Sequence, residues 1–83
     1  MRAEQILPDH LSQVERNGTT IRKGTVAAFL ANARVLIDPT QEPGARDEAE
    51  ADLIAMLPAL RATGLFEVLE IRDPALRAWV QAH

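Results

Sequence analysis

Cysteine is absent from the 83-residue chain, and its absence excludes disulfide frameworks, zinc ribbons and thiol nucleophiles. Any bound metal would have to be held by histidine and carboxylate alone. Histidine is scarce too: His10 stands beside Asp9 in an expected turn and His83 is the last residue, so neither has a partner at ligand or acid–base spacing. Aromatics make up 4% of the chain, with no tyrosine and a single tryptophan, which leaves no stacking platform for single-stranded nucleic acid. Positive charge is also short, 9 basic against 12 acidic side chains, and the net charge of -3 argues against a surface shaped throughout for a phosphate backbone. No apolar run approaches the roughly 20 residues that span a bilayer. Glu4 and Pro8 interrupt the stretch where a secretory signal needs unbroken apolar sequence.

What is present is a hydrophobic fraction of 47% without low-complexity tracts, enough to expect a folded core. The length fits one domain over residues 1–83, with loosely held ends near 1–5 and 81–83 and a surface loop at 38–44. A domain of this size buries only a little over ~60% of the surface its unfolded chain exposes, so self-association is an inexpensive source of added stability. Arginine far outnumbers the single Lys23 and alanine is abundant, a composition typical of bacterial genomes rich in G and C; the expected location is the cytoplasm.

Residues 1–11 have helical propensity divided by Pro8. The following stretch supports two readings. Leu7, Leu11 and Val14 recur at helical spacing with Asn17-Gly18 as a left-handed cap. Alternatively, Asn17-Gly18 is a two-residue hairpin turn that pairs Val14 with Ile21 and Gln13 with Arg22. The β-branched run Thr19-Thr20-Ile21 favours the hairpin. A core helix is expected from Thr25, with the Thr25 hydroxyl as N-cap and Val26, Phe29, Leu30, Ala33 and Leu36 or Ile37 on its apolar face. It ends before Pro39. A second helix is expected from Ala45 or Arg46 to Thr63, its acidic first half matched to the helix dipole and its second half carrying Leu53, Met56, Leu57 and Leu60. Pro58 predicts a kink over residues 54–57 or a restart, and Gly64 the stop. Residues 65–71 alternate well enough to read as a third strand, and Asp73-Pro74 opens a terminal helix with Leu76, Trp79 and Val80 on one face. The pentapeptide Pro58–Ala62 recurs as Pro74–Ala78, which reads as a reused helix start.

Few residues have the arrangement that chemistry requires. Ser12 has only His10 nearby in sequence and lacks an orienting group, so nucleophilic catalysis is not expected. The acids Glu42, Asp47, Glu48, Glu50 and Asp52 lack the alternating ligand spacing of a calcium loop, since Gly44 precedes them instead of sitting among them. No serine stands in the Asp-Ser-Leu-like context that a carrier domain needs. The informative feature is charge segregation. Arg16, Arg22, Lys23 and Arg34 lie in a stretch without one acid, whereas residues 38–52 hold six acids against Arg46 alone.

The run Asn17–Arg34, with Gly24-Thr25-Val26 opening a helix that carries Asn32, together with Leu57-Pro58 and Gly64-Leu65-Phe66, resembles a family of small bacterial domains of unknown function. The resemblance covers about the middle two-thirds of the chain and implies a strand pair at Asn17-Gly18. It implies no catalytic or binding residue, and the chain departs from the pattern after Phe66.

The expected fold is therefore α+β and mostly helical: a short hairpin, with a third strand, packed on two main helices plus a C-terminal helix. The expected function is a non-enzymatic protein–protein interaction or self-association module, homodimeric or bound to another protein. It takes no cofactor, no small-molecule substrate and no membrane. The candidate surface comprises Arg22, Lys23, Arg34 and Trp79, tryptophan being enriched at binding hot spots. The alternative is a minor nucleic-acid-binding role for the basic band 16–34, through phosphate contacts.

Overall fold

The computed structural model describes Arg2, residues 13–16 and residues 18–83; the expectations for the N-terminal helix, Pro8, His10 and Ser12 lie outside the described residues. The chain forms strands β1 (Gln13–Arg16) and β2 (Thr19–Arg22) and helices α1 (Thr25–Ile37), α2 (Pro43–Thr63), α3 (Leu65–Val68) and α4 (Pro74–Gln81). The fold is a mostly helical α+β arrangement.

β1 and β2 pair antiparallel in the register Gln13↔Arg22, Val14↔Ile21, Glu15↔Thr20 and Arg16↔Thr19. Gly18, at φ 78°, supplies the positive backbone angle that such a tight turn demands. The capped-helix alternative for this stretch is thus excluded. Gly24, at φ 84°, ends the hairpin and is itself the N-cap of α1. Thr25 does not cap the helix as expected; its hydroxyl points back and donates to the Arg22 carbonyl at 2.6 Å, tying helix to strand.

α1 and α2 are joined by residues 38–42, a connection short enough to lay them antiparallel. The loop is built around Asp38, whose Oδ1 accepts from the Thr40 amide at 2.9 Å and the Thr40 hydroxyl at 2.7 Å. Arg46 reaches back from α2 to donate to the Leu36 carbonyl at 3.1 Å, satisfying an end group of α1. α2 starts two or three residues earlier than expected because Pro43, with φ already fixed near the helical value, occupies its first turn. The surface loop is correspondingly shorter than 38–44, and the acids of α2 begin after its first turn instead of within it.

Helix α2 runs through Pro58 without interruption, so neither restart nor reused helix start describes Pro58, whereas Pro74 does open α4. Leu53, Leu57 and Leu60 of α2 are buried to 1% exposure or less and form the centre of the core. Full burial of each contributes roughly 1.5–3 kcal/mol. Phe29 and Ala33 of α1 and Leu76 and Val80 of α4 complete it. β2 lies against α2, and α4 against α1.

The third strand is a correction. Residues 65–68 are a turn of helix, closed by the Leu69 amide donating to the Leu65 carbonyl at 2.9 Å, and only Leu69 onward is extended. Gly64, at φ 80°, ends α2 and caps α3. This redirects the chain so that Phe66 meets Phe29 edge-on, ring centroids 6.0 Å apart. Leu65 and Leu69 also fit helical i, i+4 spacing, and the hairpin, which sits on α2, offers no edge here. α4 begins as expected, Asp73 Oδ2 accepting from the Leu76 amide at 2.9 Å.

Candidate interaction surface

Helix α1 is apolar nearly all round: of its 13 residues only Thr25, Asn32 and Arg34 are polar. A helix of that kind is ordinarily buried on more than one side. Here one side is. Phe29 and Ala33 are in the core and Leu36 packs against it. The neighbouring stripe, Val26, Leu30 and Ile37, lies within about 40° of arc at 100° per residue and stays 46%, 49% and 45% exposed. Val26 and Leu30 were expected in the core and lie on the surface, and of the alternatives Leu36 and Ile37 it is Leu36 that packs inward. The sequence signal was the absence of a polar face. Asn32 does not break the stripe's character, since its amide donates to the Ala28 carbonyl of its own helix at 3.0 Å.

Charge frames this stripe. Arg22 and Lys23, both exposed, stand at the N-terminal end of α1, and Arg34 is exposed on its flank. Beyond its C-terminal end come Asp38 and Glu42. Hydrogen bonds from the Thr40 hydroxyl and amide, then from Gln41, with Arg46 nearby, hold the Asp38 carboxyl below its ordinary value. The predicted site residues are therefore divided: Arg22, Lys23 and Arg34 border one surface, while Trp79 belongs elsewhere. Trp79 is half-buried against the core, and its ring stacks on His83 at 4.3 Å between centroids.

A groove of about 570 Å³ runs between α3, the extended residues after it and α4, lined by Arg61, Phe66, Leu69, Ile71 and Arg77. Its arginines are already committed to architecture. Arg61 donates to the carbonyls of Val80 at 3.0 Å and His83 at 3.4 Å. Arg77 donates to the Ile71 carbonyl at 3.0 Å and pairs with Glu70 at 2.9 Å. Arg61 thus ties the C-terminal end of α4, through Val80 and His83, to α2. Among the described residues no three acids or histidines converge on a position that would hold a metal ion, and no helix is long and apolar enough to cross a membrane. The chain matches no protein-family model, no curated protein and no solved structure.

Proposed function

We propose that the protein is a non-enzymatic protein–protein interaction module of the bacterial cytoplasm and that α1 presents its contact surface. The observation that carries this reading is the exposed stripe Val26, Leu30 and Ile37 on a helix with no polar face. Leaving three large aliphatic side chains half in water forfeits stabilisation that a domain of this size can ill spare, and clustered exposure of this kind marks association sites. The surface differs from the one suggested by composition, since Trp79 is occupied by core packing and by His83. Arg22, Lys23 and Arg34 remain part of it as a charged rim, where they steer partners and set register more than they add affinity.

The nucleic-acid alternative draws less support. Arg22 precedes the apolar stripe and Arg34, twelve residues on, stands on its flank, and a stripe of aliphatic side chains offers a phosphate backbone nothing. The test is photo-crosslinking in the native host from a photoreactive residue at position 30, with position 51 on the outer side of α2 as control. Discrete protein adducts are expected from position 30 and none from position 51. No adduct from position 30 refutes the reading.

A further inference from the structure

Independently of what α1 binds, we infer that Asn17 is a site of spontaneous covalent modification, converting through a cyclic imide to isoaspartate, and that this conversion opens the hairpin. An asparagine is lost when the backbone nitrogen of the following residue attacks its side-chain Cγ, so the bulk of that neighbour and the freedom of the backbone set the rate. The chain has two asparagines, Asn17 and Asn32, and they differ in both respects. Asn17 precedes Gly18, which has no Cβ to obstruct the approach. Gly18 is exposed, and apart from its chain neighbours nothing lies within 4 Å of the place a Cβ would take. The pairing of Arg16 with Thr19 leaves Asn17 and Gly18 as the connection between the strands. Among the described residues the sheet has only those two strands, and a lone two-stranded ribbon is marginal and opens locally at small free-energy cost. Asn32 instead precedes Ala33, which is buried in the core. Its side-chain amide donates to the Ala28 carbonyl at 3.0 Å, and attack there requires α1 to unwind.

The step needs water and no oxidant. The Gly18 nitrogen bonds to Asn17 Cγ and gives up its proton, the bond from Cγ to Nδ2 breaks, and ammonia leaves with that proton. Water then opens the imide. Cleavage of the bond between the Gly18 nitrogen and Cγ leaves aspartate, whereas cleavage at the Asn17 main-chain carbonyl leaves isoaspartate, whose main chain runs through Cβ and Cγ and is longer by one carbon. A two-residue turn fixes strand register through its length and backbone angles, so the lengthened chain no longer matches Arg16 to Thr19 or Glu15 to Thr20. The conversion also replaces a neutral amide by a carboxylate, adding negative charge to the basic band. Since β2 lies against α2, an opened hairpin uncovers that side of the helix while Leu53, Leu57 and Leu60 stay packed with α1 and α4.

The two sites separate cleanly in one experiment. The folded full-length chain is incubated at neutral and at mildly alkaline pH, then cut with trypsin, with an unincubated sample as baseline. Cleavage after Arg16, Arg22, Lys23 and Arg34 places Asn17 in the peptide 17–22 and Asn32 in the peptide 24–34. Mass spectrometry, with isoaspartate labelled by an isoaspartyl methyltransferase, follows each. The peptide 17–22 should gain the mass of an amide-to-acid conversion about tenfold or more faster than the peptide 24–34, because the hairpin opens more readily than a core helix. Isoaspartate should be found in it, and the rate should rise with pH as the attacking nitrogen loses its proton more readily. The modified chain, separated by its added negative charge on ion exchange, should retain its helical circular dichroism and lose the cross-strand backbone contacts between Glu15 and Thr20 in its nuclear magnetic resonance spectrum. Equal rates in the two peptides, or no conversion at Asn17 until urea unfolds the chain, overturn the assignment of the site. An isoaspartate-containing chain that keeps the contacts between Glu15 and Thr20 overturns the opening of the hairpin.

Discussion

Pro58 lies inside α2 with its ring exposed and its neighbours at 57 and 60 buried in the core, which makes Pro58→Ala an unusually clean perturbation. The proline cannot donate to the Ile54 carbonyl four residues earlier, and its ring crowds that same carbonyl. In host helices the exchange of an interior proline for alanine is worth about 3 kcal/mol. Two features of this site reduce the gain. Ile54 is 45% exposed, so its carbonyl is on a face open to hydration, and the helix has already accommodated the ring. We expect Pro58→Ala to stabilise the protein by about 1–2 kcal/mol, which for a domain of this size raises the melting temperature by roughly 5–15 °C. Thermal unfolding followed by circular dichroism at 222 nm, with urea titrations for the free energy, measures both. An unchanged or lowered melting temperature with an unaltered urea slope would show that the proline is needed to seat Leu57 and Leu60, and would refute the view that it is merely tolerated.

Leu53 has no solvent exposure, and Leu53→Ala should cost about 3 kcal/mol or more, much of the roughly 4–12 kcal/mol expected for the whole chain; a two-state urea melt retaining wild-type stability would contradict the assigned core. Gly64→Ala should destabilise by about 1 kcal/mol or more, because φ is 80° and the added Cβ would stand 3.1 Å from Glu67 Oε2. Gly44→Ala, in open space within the first turn of α2, should be neutral or stabilising by up to ~1 kcal/mol, and equal melting shifts in the two variants would refute the distinction. The Asp38 carboxyl is lowered by its loop hydrogen bonds, so its contribution is fully present above the unfolded-state carboxylate range and is lost as pH falls through the lower folded-state value. Asp38→Asn should therefore reduce stability at neutral pH and converge on wild type in acid; a difference that persists unchanged in strong acid would contradict the assignment.

The hairpin was legible down to its register because a two-residue turn and a period-two side-chain pattern leave one pairing that matches Val14 with Ile21. Helix ends were legible at Asp73-Pro74 and Gly64, but not at Thr25, whose hydroxyl bonds the Arg22 carbonyl while Gly24 takes the N-cap position. What sequence could not decide was which neighbour an apolar residue would find. In α1, Val26, Leu30 and Ile37 have the same spacing relations as Phe29 and Ala33, and only the positions of α2 and α4 determine which side is covered. Over residues 65–71 the alternation is compatible with a strand, but a strand needs an edge to pair with, and Leu65 and Phe66 gain more by packing on Phe29 and the core. Trp79, the residue type most associated with binding, is half-buried against the core and stacked on His83, surroundings that its spacing in the sequence does not announce.

The α3 segment has a consequence for the unfolded chain. Phe66-Glu67-Val68-Leu69-Glu70-Ile71 forms a helical turn and a short extended tail, with Phe66 docked against Phe29. Released, it is a six-residue window of aromatic and aliphatic side chains with no proline, the composition from which stacked intermolecular sheets are built. Glu67 and Glu70, exposed in the native fold, are the two charges within that window, and in stacked copies like charges would fall in line and repel. Charges so placed are expected to oppose aggregation of the window when it is exposed. A Glu67→Val, Glu70→Val chain should seed fibrils on heating where the parent chain refolds.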